Sequence, residues 1–276
     1  MELTPRYGTN PIITLDGSPP LILQPVTRQR RRLADALASF TDDQWAHPSR
    51  CAGWSNRDVI VHLDSTNSFW AFSIASGLRG TPTTFLSGFD PVASPAQLVA
   101  GSNELTAQAV LEKFAASAAA LDAVFNALSD SDWLVLAEAP PGHISINALA
   151  HHALWDSWIH ERDVLLPLGI APAEEPDEVT ACLRYVAALA PGFAVSRGRV
   201  DNGTLAVQAT TPDAAFVVEV GDHVHVRTGS AKADLLLNGP AVDLVEALSI
   251  RAPLKQSIPT DLKWMVNGLA EVFDVG

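Results

Sequence analysis

The chain has 276 residues, 47% hydrophobic and 18% charged, with a formal net charge of −13. That length favours two domains over one, and the composition supports a packed core rather than a disordered or fibrous chain. The acidic excess excludes a nucleic-acid backbone as partner. The basic residues form no stripe beyond Arg30-Arg31-Arg32, which reads as the solvated start of a helix. Cys51 and Cys182 stand far apart, in neither a disulfide framework nor a metal-ligand spacing. The first 25 residues lack the charged and apolar regions of a signal peptide, and no apolar run reads as long enough to cross a bilayer. The expectation is a soluble, cytoplasmic protein with no membrane partner.

Residues 1–24 carry Pro5, Pro11, Pro19 and Pro20 and read as an extended arm. In 26–40, Leu33, Ala34, Leu37 and Phe40 recur at helical spacing and predict a first helix. Thr41 to Gln44 reads as a new N-cap with a short turn of helix, and 47–53 as a loop. Ser55 with Asp58 three residues on resembles a capping box. Val59, Ile60, Leu63, Phe69, Trp70 and Ile74 then lay an apolar stripe along a second helix ending near Leu78. A connection rich in Gly, Pro, Ser and Thr fills 79–102, of a length that often forms a lid or rim. A third helix is expected over 103–128, a loop over 129–142, and a fourth helix over 145–166, ended by Pro167 and Gly169. Four such helices make an antiparallel bundle.

The pattern changes after Pro176. A helix over 177–189 precedes alternating segments at 204–210, 215–220, 223–228 and 233–238, with Asp213 and Gly221-Asp222 as turns. Helices near 239–250 and 260–273 close the chain. Strands bracketed by helices predict a small antiparallel sheet with helices on one face. The fold class is α plus α+β: an arm at 1–24, a helical bundle at 25–171 and a smaller α+β domain at 172–276.

Chemistry concentrates on the fourth helix. Asp156 and His160 are four residues apart, about 40° around the axis and roughly 6 Å along it, so both side chains reach one point. His62 lies on or beside the apolar stripe of the second helix, where an inward-facing ligand belongs. Two imidazoles and a carboxylate hold Zn²⁺, Fe²⁺ or Ni²⁺ and leave coordination positions open, as catalytic rather than structural sites do. Asp163 is placed to accept the second N–H of His160. His152 and Asp156 form a rival pair. Because His152 and His160 sit about 12 Å apart along the helix, all three cannot bind one ion. By spacing alone each of these groups serves equally well as a hydrogen-bonded core residue. Cys51 shows no electropositive neighbour in sequence and reads as a small buried thiol. His223 and His225 read as exposed strand-edge residues, and Trp155 and Trp158 as bundle core or pocket wall.

The stretch Cys51-Ala52-Gly53-Trp54-Ser55-Asn56-Arg57-Asp58-Val59-Ile60-Val61-His62-Leu63 resembles the signature of the DinB-like, mycothiol-dependent maleylpyruvate isomerase family. That signature runs Cys-Pro-Gly-Trp, a capping Thr or Ser, Arg-Asp-Leu and a metal-binding His before Leu. Asp156-x-x-x-His160-x-x-Asp163 resembles the family's Glu-x-x-x-His-x-x-Asp segment, and 233–245 the strand–Gly-Pro–helix junction of its sterol-carrier-like second domain. The resemblance implies a DinB-like four-helix bundle holding a divalent metal, zinc first among candidates, on His62, Asp156 and His160. It implies mycothiol or a similar low-molecular-weight thiol as cosubstrate, and S-transfer to, or isomerisation of, a small electrophilic substrate between the domains. Arg251 matches the family's second-domain Arg that binds or turns over substrate; its plain reading is a surface Arg complementing a helix dipole. Ala52 replaces the family's Pro. Asp156 replaces its Glu, one methylene shorter, so the helix must approach the ion more closely or metal is weakened or lost. Two other readings stay open: a scaffold recruited to a thiol-independent biosynthetic step, and a non-catalytic small-molecule-binding module. Monomer and homodimer are both compatible with the sequence.

Overall fold

Local chemistry starts the helices where the spacing places them. The computed structural model describes residues 2–199 and 201–273. Its first half holds α1 (Leu23–Leu37), α2 (Asp42–Ala46), α3 (Asn56–Leu78), α4 (Ala93–Ala100), α5 (Ala107–Asn126) and α6 (Ile146–Leu165). Thr41 and Ser55 both close reciprocal capping boxes. At Ser55 the shorter Asp58 suffices: its Oδ2 accepts the Ser55 N–H at 2.9 Å. Helices α1, α3, α5 and α6 pack as the expected bundle. Every residue of α6 except Asp156 is buried, because bundle helices cover one side and the second half of the chain covers the other.

That second half consists of α7 (Pro176–Ser196), strands β4 (Gly203–Thr210), β5 (Ala214–Val220), β6 (Val224–Thr228) and β7 (Leu235–Pro240), then α8 (Ala241–Leu248) and the short α9 (Ala270–Phe273). The α+β class holds, with a mixed sheet in which a strand at Ile13–Leu15, β1, is followed in order by β6, β5, β4 and β7. Strands β4, β5 and β6 run antiparallel as expected, while both outer strands pair parallel to their neighbours. The outermost strand, β1 (Ile13–Leu15), comes from the N-terminal arm. The arm therefore belongs to the sheet of the second half, and it takes the outer edge of β6, so β7 adds beyond β4. This also corrects the reading of His225 as an exposed edge residue: its Nδ1 lies 2.7 Å from Thr14 Oγ1 and its Nε2 3.2 Å from Asp16. One continuous apolar core joins Leu154 and Trp158 of α6, Val186 of α7, and Val207 and Val218 of the sheet.

Other differences have local causes. The Arg run is solvated at Arg31 alone. Arg30 is buried, donating to Asn67 and the Ala153 carbonyl, and Arg32 pairs with Glu161 of α6 and Glu178 of α7 at 2.8 Å each. Helix α7 is long and apolar enough to cross a membrane, contrary to the sequence reading, but most of it is buried as the central helix against the sheet. The expected closing helix is instead a 3₁₀ segment, Thr260–Met265, and α9. They are parted at Gly268, where a Cβ would meet the Ala190 carbonyl oxygen at 2.0 Å.

The connection read as 129–142 contains a hairpin, β2 (Leu136–Ala139) and β3 (Gly142–Ser145). Gly142, at φ 130°, lets Arg6 of the arm pair directly with β3. On β2 the buried Glu138 carboxylate accepts the Tyr7 hydroxyl (2.6 Å) and the backbone N–H groups of Phe85 (2.9 Å) and Leu86 (2.7 Å). One side chain thus ties the arm and the segment before α4 to the bundle. Glu138→Ala leaves one buried and two half-buried donors without their acceptor, and a loss of about 3 kcal/mol of stability is expected in urea unfolding. Glu138→Gln, which keeps an acceptor, should lose roughly half as much.

Candidate metal centre

Helix α3 contributes His62, and α6 contributes Asp156 and His160 one turn apart. Their ligand atoms all lie within 4.8 Å of one another. The closest ring–carboxylate approach is His160 Nε2 to Asp156 Oδ1 at 3.7 Å, and the His62 and His160 rings meet edge-on at 5.1 Å. The sequence-selected residues are therefore brought to one point, at the wall of a cavity of about 950 Å³. The rival His152 stays apart, its Nδ1 on the Tyr185 hydroxyl at 2.8 Å.

The donor chemistry suits a divalent cation. Burial holds His62 down to about 4, so its imidazole is neutral at neutral pH. Burial raises the Asp156 carboxyl, but His160, His62, His152 and Arg30 outweigh it and hold the group below its usual range; Thr66 Oγ1 also donates to it at 3.3 Å. His160 Nδ1 sits 3.0 Å from Asp163 Oδ2. With that N–H donated, Nε2 is left to face Asp156 and His62, the arrangement that fixes a ligating imidazole. Burial opposes charge on His160; Cys51, Asp163 and Asp156 outweigh it and raise its pKa to about 10, so a metal ion at Nε2 would have to displace a proton. The aspartate at 156 thus reaches the shared point despite its missing methylene.

Arg251 is no surface residue. From the loop after α8 its guanidinium forks onto the fully buried Asp163, with Nε at 2.9 and 3.1 Å and Nη2 at 2.8 Å. The second half of the chain thereby holds, through Asp163, the imidazole of the bundle. Arg50 completes the join, bonding Asp163 at 2.9 Å and Glu246 of α8 at 2.8 Å. Cys51 is corrected in turn: it lines the cavity, with Sγ 3.6 Å from His160 Nδ1 and 3.7 Å from Arg251 Nη2, so electropositive groups do surround it. Cys51, His160 and Asp163 form a second group with converging ligand atoms, but two guanidiniums already occupy the Asp163 oxygens and repel a cation there. Sequence reasoning missed Arg50 and Glu246. Arg50 stands immediately before the signature stretch, whereas nothing local marks Glu246.

Residues 26–165 match the family model described as the mycothiol maleylpyruvate isomerase N-terminal domain. The chain belongs to this family. His62, Asp156 and His160 all fall inside the matched mycothiol maleylpyruvate isomerase domain, and Arg251 and Glu246 beyond it. Two solved structures share the fold: a mycothiol-dependent maleylpyruvate isomerase (TM-score 0.58) and its histidine-to-alanine mutant (TM-score 0.59). Each is 16% identical, with 84% of this chain and 88% of theirs aligned. At that identity the likeness is one of fold. No curated protein matches the chain.

Proposed function

We propose that this chain is a metal-dependent enzyme that uses a low-molecular-weight thiol of the mycothiol type for S-transfer to, or isomerisation of, a small electrophile. The observation that carries this is the convergence of His62, Asp156 and His160 on the wall of a large cavity. Histidines kept only as core groups would be packed in hydrocarbon. Membership in a family described by a mycothiol isomerase domain supports the thiol and the enzymatic class. The aligned structures are of mycothiol-dependent maleylpyruvate isomerase, which fits the same reaction type.

A bound divalent ion, zinc first among the candidates, would lower the pKa of a coordinating thiol and raise its nucleophilic fraction at neutral pH. The chain's own groups do the rest. Asp163 fixes the His160 ring, Arg251 and Arg50 fix Asp163, and the cavity between the bundle and the C-terminal segments at Ser249, Arg251 and Leu269 holds both reactants. The thiolate sulfur adds to an electrophilic carbon. The adduct either takes up a proton and leaves as an S-conjugate or, after rotation about the carbon–carbon bond that was double, expels the thiolate to give an isomer.

Cobalt reports on this directly. Co²⁺-loaded protein should develop a thiolate-to-metal charge-transfer band when mycothiol or a simpler cysteinyl thiol is added. Silence towards every such thiol in a cobalt-loaded sample would overturn the thiol reading.

A further inference from the structure

We propose that the cavity selects a neutral, apolar electrophile and discriminates against a dicarboxylate such as maleylpyruvate. This rests on the thiol-and-metal reading for the chemistry, but the binding preference stands on the cavity itself.

The cationic side chains are the first ground. Among the described residues lining the cavity, the permanent cations are Arg50 and Arg251. Both are already answered by buried carboxylates. Arg251 is forked onto Asp163, and Arg50 spans Asp163 and Glu246. Glu246 also receives Arg162 at 2.6 Å, which in turn reaches Glu174 at 3.0 Å. The cluster therefore sets three guanidiniums against three carboxylates. A dianion entering here would shed its water and find its counter-charges already paired. The chain's net charge of −13 adds a general field against it.

The far end supplies the second ground. Phe69 and Trp70 lie on α3 seven and eight residues beyond His62, about 10 to 12 Å along the helix axis. They are joined by Leu86 and Phe89 from the segment tied down by Glu138, and by Leu269. His152 on this wall is enclosed by the rings of Trp70, Trp155 and Tyr185 and already bonded to the Tyr185 hydroxyl. The rim is also apolar: Phe85 is 65% exposed, Leu98 54% and Val92 44%, and all three line the cavity. Exposed apolar side chains gathered around a concave site mark the path of an apolar ligand. A volume of about 950 Å³ leaves room for such a body beside a thiol at the ligand end.

The test needs neither metal nor thiol. trans-Chalcone, a neutral diaryl enone, and its 4,4′-dicarboxylate share one skeleton and differ by two charges. Their binding to the metal-free protein is read by quenching of Trp54, Trp70 and Trp155, which line the cavity. Chalcone should bind at least tenfold more tightly than the dicarboxylate. Phe69→Lys, which places a cation at the apolar end, should shrink that ratio at least tenfold, and Phe89→Lys serves if the first variant fails to fold. Equal or tighter binding of the dicarboxylate, or a ratio untouched by a folded lysine variant, overturns the substrate class while leaving the metal and thiol reading standing. A protein that takes up no metal, yet prefers chalcone, does the reverse.

Discussion

His62→Ala should fold and purify like the parent yet lose its divalent ion, with affinity reduced at least ~100-fold. Removing groups that merely orient ligands typically lowers affinity ~10–100-fold, and here one of three donors is deleted. The two that remain, Asp156 and His160, approach to 3.7 Å on one helix and cannot enclose an ion alone. His62 opens onto the cavity rather than into packed hydrocarbon, so its truncation removes a ligand without emptying the core. Elemental analysis of zinc-reconstituted protein gives the first readout: about one equivalent in the parent and a negligible amount in the variant. Thermal unfolding with and without chelator gives the second. At a free ion concentration 100-fold above Kd, binding stabilises by about 2.7 kcal/mol, which chelation should remove from the parent and not from the variant. Parent protein indifferent to chelator and as metal-poor as the variant would return these histidines to the role of core groups. Asp156→Glu, which restores the longer side chain, should keep the metal, since the backbone already brings the shorter carboxylate to the shared point.

What was legible in the sequence was what local chemistry decides. The Ser55–Asp58 cap, the stripe of α3 and the one-turn spacing of Asp156 and His160 are set by residues within a few positions of each other, and the structure places them as read. The position of His62 facing Asp156 and His160 was readable because a helical stripe fixes which side of α3 turns inward. Contacts between distant segments were not readable. Nothing around Ile13–Leu15 announces that the arm will complete a sheet more than 200 residues later, because a three-residue strand carries too little periodicity to register. The Arg run looked solvated because charge is ordinarily so; the burial of Arg30 depends on Asn67 and the Ala153 carbonyl, and that of Arg32 on Glu161 and Glu178, all on other helices. Cys51 looked isolated for the same reason. Its neighbours Arg251 and His160 are contributed by the second half of the chain and by α6.

Asp163→Asn should cost about 3 kcal/mol of stability and, separately, weaken metal binding ~10–100-fold. The first effect follows from charge. Asp163 is fully buried and accepts from Arg50, Arg251, His160 and the Cys51 thiol; burial raises its carboxyl, but His160 and Arg251 outweigh it and hold the group far below the ordinary range. An amide of the same shape leaves Arg50 with Glu246 as its remaining carboxylate and Arg251 with only the Ser249 carbonyl and the Cys51 sulfur among its described contacts. Breaking a buried ion pair from one side typically costs about 3–5 kcal/mol. The lower end applies because the Arg50 and Arg251 side chains keep 24% and 21% exposure. The second effect follows from the ring: without a carboxylate on Nδ1, His160 loses the bond that aims Nε2 at Asp156 and His62. Arg251→Leu separates the two. It leaves Asp163 with Arg50 and His160, so the stability loss should fall to roughly 1–2 kcal/mol, while metal binding weakens less than in Asp163→Asn. In the double variant the Arg251 substitution should cost little beyond Asp163→Asn alone, because its partner is already gone. Urea unfolding of metal-free protein and a competition titration with a chromophoric chelator measure the two quantities independently. A fully additive pair, or an Asp163→Asn protein that binds metal like the parent, would mean that Arg251 and Asp163 merely join the two halves of the chain and have no hold on the site.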